Sequence, residues 1–279
     1  MSSGSMRVGA AQIVTGKDPD ANLELVREWT QRAANARAQV VVFPEAVQRQ
    51  FGHNLTSIAE PTDGEWANEV RQIAEAAGVV VVVGMFTNGT PNDEGRARVK
   101  NTTLAVGVDS QGNRIDTSYD KIHLYDAFGF KESDTVAPGN TPVRFDVDGV
   151  RFGLATCYDV RFPQLFTAHA RAGASATLLP ASWGAGPGKV DQWQLLTRAR
   201  ALDSTQYLVA SGQGLPSAAE LSAPEGAPTG VGYSTIISPK GTVLAEAGDA
   251  PELLVAELDL DTVAEVRRKL PVLENSRDF

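Results

Sequence analysis

Runs of consecutive β-branched residues, separated by stretches with helical spacing, constrain this chain more than any other feature. QVVVFPE (39–45) and GVVVVVGMF (78–86) read as strands whose valine runs carry no polar residue on either face, which fits strands covered on both sides. Between them, Glu65 to Ala77 reads as a helix stopped by Gly78, a residue suited to the left-handed position after a helix end. A first strand over MRVGAAQI (6–13) precedes Asn22 to Arg37, where Leu23, Val26, Ala33 and Ala34 recur near helical spacing. Strands of this kind need helices on one face and a second apolar layer on the other. A layered α/β arrangement supplies both.

From residue 99 the rhythm changes to hairpins. NTTLAVGVD and RIDTSYDK flank a turn at Ser110 to Asn113, and Asp148-Gly149 sits between alternating runs in RFDVDGVRFGLATC, a strong two-residue turn signal. Helical spacing returns over Pro163 to Ala172 and Val190 to Thr205, each followed by an apolar strand, ATLLPAS (176–182) and YLVASGQG (207–214). A hairpin turning at Pro239-Lys240-Gly241, the strand LLVAELDL (253–260) and a charged helix, DTVAEVRRKL, complete the chain. The mixed parallel and hairpin signals predict two packed sheets flanked by helices in one domain over 6–279. Residues 1–5, MSSGS, read as an expression remnant or a disordered start, not as a signal peptide.

Composition narrows the function. A net charge of -9 with scattered basic residues argues against nucleic acid or an anionic membrane as partner. The longest aliphatic run is too short to span a bilayer. One cysteine forms no internal disulfide, so a cytoplasmic location is expected. No pair of residues has H-x-x-x-H or C-x-x-C spacing, so no metal site is expected. GAGPGK (184–189) lacks both the first glycine and the Ser/Thr of a phosphate loop, so a nucleotide cofactor is not expected either.

Three polar residues stand where apolar runs end. Glu45 closes VVVFPE, Lys121 follows IDTSYD, and Cys157 lies in GLATCYDVRFP. A lone cysteine is more often a small buried hydrophobe than a nucleophile. Here, however, it leaves a strand just before a helix, where the helix dipole favours thiolate and backbone N–H groups can hold an oxyanion. A carboxylate directly after four apolar residues is costly unless paired. Delivered to one crevice, the three would form a nucleophile with its own base and cation. His123 keeps a Cys–His hydrolase open as an alternative, without a recognisable orienting group. Arg161 either binds a substrate carboxylate or locks its bend by pairing with Asp159.

FPE (43–45), DKIHLYD (120–126) and GLATCYDVRFPQL (153–165), with the later LLTRARALDSTQYLVAS, resemble the carbon–nitrogen hydrolase (nitrilase-like) family. The similarity extends from Arg7 to the LPVLENSR tail. It implies a four-layer αββα sandwich and a Glu45–Lys121–Cys157 triad. It also implies a homodimer or higher even-numbered oligomer. Glu132 in FKESDTVAPG matches the family's second glutamate, with a positioning role. The CYDVRFP form looks most like the Nit-type amidases, which act on small ω-amides of dicarboxylic acids or on deaminated glutathione. Tyr158, Arg161 and Trp183 are then the candidate substrate-binding residues, with a small-molecule amide as the partner. Gln192-Trp193 replaces the His-Trp of many relatives. A nitrilase, an N-carbamoyl amine hydrolase and a non-catalytic scaffold on the same fold are the competing readings.

Overall fold

The computed structural model describes residues 4–127 and 129–277. Strands β1 (Ser5–Gln12), β2 (Val40–Val42), β3 (Val80–Asn88), β4 (Val99–Val108) and β5 (Arg114–Asp120) form a six-stranded sheet with β14 (Glu252–Asp259) at the edge beside β1. Within it β1, β2 and β3 run parallel, and β4, β5 and β14 pair antiparallel with their neighbours. The second sheet holds β8 (Arg144–Val147), β9 (Val150–Leu154), β10 (Ala176–Ala181), β11 (Tyr207–Gly212), β12 (Thr235–Ile237) and β13 (Val243–Glu246) in consecutive spatial order. Its central β9, β10 and β11 are parallel. A small hairpin, β6 (Asp126–Ala127) with β7 (Phe130–Lys131), stands apart from both sheets.

The valine runs explain the layering. Val40, Val42, Val80 and Val82 join Leu154, Leu178 and Val209 in the core between the sheets. The alternate residues, Val41, Val81 and Val83, pack with Val26 and Trp29 of helix α1 (Pro19–Asn35) and Val70 and Ile73 of α2 (Glu65–Ala77). Period-two alternation thus sends each run into two apolar layers, and each fully buried valine stabilises the fold by about 2 kcal/mol. Helices α3 (Pro163–Arg171) and α4 (Lys189–Ser204) pack on the second sheet, and α5 (Leu260–Lys269) and α6 (Val272–Asn275) follow β14. This is the expected αββα sandwich.

Most helix bounds fall within a few residues of expectation, and Gly78 closes α2 at φ 63°. Strand β2 is shorter than the predicted 39–45, because Pro44 has no N–H to extend the ladder. The chain start also departs from the sequence reading. Ser5 pairs with Asp259 in β1, and Gly4 accepts a hydrogen bond from Leu260 N at 3.1 Å. Ser5 is held by β14 and Gly4 by the first residue of α5, and 1–3 lie outside the described residues. Among the described residues no helix is long and apolar enough to cross a membrane.

Candidate active site

Glu45, Lys121 and Cys157 follow β2, β5 and β9, whose carboxyl ends lie at one edge of the two sheets. Each reaches a single cavity, which Glu132 also lines. They are 1%, 2%, 7% and 2% exposed respectively. Four ionisable groups at that depth require mutual compensation.

Close backbone contact fixes Glu45. The chain after β2 crosses Gly84 of β3 so tightly that a Cβ there would lie 2.6 Å from Ala46 N and 2.9 Å from Glu45 Cα. Val47 N and Gln48 N both donate to Gly84 O at 3.1 Å. The Glu45 carboxylate then accepts from Lys121 Nζ at 2.9 Å and Asn101 Nδ2 at 2.7 Å on Oε1. Ser182 N donates to Oε2 at 2.8 Å.

Glu132 occupies a single turn just after β7 and receives only N–H donors. Lys121 Nζ lies 3.0 and 2.9 Å from its two oxygens, Asn101 Nδ2 3.1 Å from Oε1, and Tyr125 N 2.7 Å from Oε2. Lys121 therefore bridges two carboxylates, and Asn101 bridges the same pair. Asn101, Ser182 and Tyr125 were not singled out by sequence. Nothing local marks Asn101, which sits in β4 beside Lys100, Thr102 and Thr103.

Cys157 takes φ 47° at the bend between β9 and the turn leading to α3. A non-glycine residue there stores about 1–3 kcal/mol of strain, which the surroundings must impose. Asp159 imposes much of it. Fully buried, it accepts from Thr156 N at 2.8 Å and Tyr119 Oη at 2.7 Å on Oδ2. On Oδ1 it accepts from His123 N at 3.1 Å and meets His123 Nδ1 at 2.6 Å. The turn that carries Cys157 is thus tied to the segment after Lys121. Asp159 is not the partner of Arg161, which corrects one of the sequence alternatives, and His123 is engaged by Asp159 and stacked on Phe162 with ring centres 3.7 Å apart.

Electrostatics correct a second expectation. Burial, then the nearby Glu45 carboxylate, push the Cys157 thiol well above the ordinary cysteine range; Lys121 opposes them without prevailing. The helix-end argument for a resting thiolate is outweighed by desolvation and a neighbouring negative charge. For Lys121, burial disfavours the ammonium, but Glu132 and Glu45 outweigh it and hold the lysine well above its usual range. The site at rest holds a thiol, an ammonium and two carboxylate side chains.

Tyr158 and Trp183 line the cavity, with Tyr125 and Lys189. Arg161 stands one layer back. Its Nη2 donates to Gln192 Oε1 at 2.8 Å, and its guanidinium carbon lies 5.3 Å from the Trp183 ring centre. Among the described residues no group of three His, Cys, Asp or Glu side chains is placed to hold a metal ion.

The carbon–nitrogen hydrolase family model matches residues 7–268. Hydrolase Rv0480c of Mycobacterium tuberculosis is 54% identical over 98% of this chain and 96% of its own length. The deaminated glutathione amidase of Escherichia coli O157:H7 is 34% identical over 98% of this chain and 97% of its own. The crystal structure of Saccharomyces cerevisiae Nit3, a member of branch 10 of the nitrilase superfamily, superposes with a TM-score of 0.78 at 25% identity, covering 96% of this chain and 94% of that one. A buried glutamate, lysine and cysteine at one sheet edge, on an αββα frame matched along nearly its whole length, place this chain in the carbon–nitrogen hydrolase family, within the Nit-type amidase branch of the nitrilase-like superfamily.

Proposed function

We propose that the protein hydrolyses the carbon–nitrogen bond of a small carboxylate-bearing amide, of the ω-amide or deaminated-glutathione type, to a carboxylic acid and ammonia. One observation carries the reading: the Glu45 carboxylate, bonded to the Lys121 ammonium at 2.9 Å, lines the same small cavity as the Cys157 thiol. A base, a nucleophile and a cation therefore meet without histidine.

Because the thiol is neutral at rest, its proton moves to Glu45 as Sγ attacks the amide carbon. A free thiolate would add a second negative charge beside Glu45, and direct transfer avoids that state. The carbonyl electron pair moves onto oxygen, where the Lys121 ammonium and the Tyr158 backbone N–H stabilise it; one such donor contributes about 3 kcal/mol. Collapse breaks the carbon–nitrogen bond, Glu45 gives its proton to the departing nitrogen, and ammonia leaves a thioester on Cys157. Glu45 then takes a proton from water as its oxygen attacks the thioester, and that proton returns to the sulfur on release of the acid. Glu132 keeps Lys121 charged and in place. Tyr158 and Trp183 wall the acyl group, and Arg161 adds positive potential at the rim.

The identity of the E. coli relative supports the substrate class. Ammonia release from a panel of ω-amides, deaminated glutathione, neutral amides, nitriles and carbamoyl compounds tests it. Release confined to the carboxylate-bearing amides upholds the reading. Preferred turnover of nitriles or carbamoyl compounds replaces it, and silence across the panel favours a binding scaffold.

A further inference from the structure

The mechanism leaves one cavity cation unused, and the charge balance calls for it. Glu45 and Glu132 bring two carboxylates to the site, Lys121 brings one ammonium, and Cys157 is a neutral thiol. A substrate with a carboxylate of its own would enter against that negative excess. Lys189 lines the same cavity. Its Nζ lies 5.8 Å from the ring centre of Tyr125 and 6.0 Å from that of Trp183, so aromatic faces support the cation.

Two features of its position work against a positive charge. Lys189 is the first residue of α4, where the helix dipole disfavours cations. Burial and the nearby Arg161 guanidinium both push its ammonium below the usual lysine range, with Cys157 opposing them. Positive potential from a helix start, a lysine and an arginine is thus gathered at one wall of a cavity that otherwise carries net negative charge. An anion arriving there would relieve that repulsion.

We propose that Lys189, backed by Arg161, is the residue that binds the substrate's distal carboxylate, and that it sets the preference for anionic over neutral amides. Arg161 is the less direct of the two, because its guanidinium is held by Gln192 and stacked near Trp183 outside the cavity lining. The inference rests on the amidase reading above and adds the residue that selects within it.

The test compares succinamate with butyramide, which share a chain length and differ in the terminal carboxylate. Lys189→Met is expected to lower the ratio of their kcat/KM values about tenfold or more, as loss of a charge-assisted contact should. Lys189→Arg should keep most of the ratio, and Arg161→Met should lower it less than Lys189→Met. An unchanged ratio in Lys189→Met, or a larger drop in Arg161→Met, overturns the proposal. Calorimetric binding of succinate to wild type and to Lys189→Met separates this failure from that of the amidase reading. If wild type cleaves neither amide, the reading falls. Weakened succinate binding in Lys189→Met would still uphold the anion site, and equal binding would remove it.

Discussion

Oε1 of Glu45 lies 2.9 Å from Nζ of Lys121, with both side chains almost fully buried. In the proposed mechanism that contact joins base and cation in one unit, and Glu132 sets a second carboxylate 2.9 Å from the same ammonium. Removing the cation leaves two carboxylates facing each other in a dry site.

Lys121→Met is therefore expected to lose about 10³-fold or more in kcat, since the cation facing the oxyanion is gone. Stability should fall by about 3 kcal/mol, the cost of breaking a buried charged group without replacing its partners. Steady-state kinetics with thermal melting checks both. Near-normal turnover would remove the lysine from the mechanism.

Asn101 donates to both carboxylates and aligns them without adding charge. Asn101→Ala should lower kcat about tenfold while changing KM little. A loss of stability with kcat unchanged would assign Asn101 to structure alone.

Gly84 gives Glu45 its place from the opposite strand. In Gly84→Ala the new methyl group would meet the Glu45–Ala46 backbone, and the strand crossing must open. We expect about 1–3 kcal/mol of lost stability and a disproportionate loss of kcat. Activity retained in a merely destabilised protein would show that Glu45 tolerates displacement.

The carboxyl ends of apolar runs are the places in the sequence where the site is most legible. Glu45, Lys121 and Cys157 meet in one cavity because strand direction fixes which end of each run faces the crevice, whereas Glu132 was legible only through the family motif around it. The alternating valines likewise announce the two apolar layers. Asn101 and Gly84 escaped notice because their roles depend on cross-strand register between β3, β4 and the chain after β2, and no local pattern encodes that. Lys189 was hidden differently. GAGPGK lacks the phosphate-loop pattern, but the path of a glycine-rich connection depends on tertiary contacts, and here it carries the lysine into the catalytic cavity. The thiolate expectation failed for a related reason: helix-end position is local, whereas burial and the Glu45 charge come from the assembled site.

The raised Cys157 thiol has a pH signature. As an acid whose ionisation is pushed above the ordinary cysteine value of 9.0, it stays protonated in the folded chain after the unfolded chain has begun to ionise. Its stabilising contribution is complete below pH 9 and declines as pH rises further. Lys121, also raised, acts in the same direction above the ordinary lysine value of 10.5. Iodoacetamide should therefore alkylate Cys157 slowly at neutral pH and faster on the alkaline side. In Glu45→Gln the profile should shift to lower pH, because a carboxylate that opposes the thiolate is gone. Fast alkylation at neutral pH in wild type would contradict the resting-thiol state.

The proposed reaction passes through a thioester on Cys157, which rapid-quench intact mass spectrometry during turnover of succinamate would detect. A transient mass increase equal to the succinyl group is expected, mapped to Cys157 and absent in Cys157→Ala, which should also release no ammonia. Ammonia release by Cys157→Ala at a rate near that of wild type would contradict it.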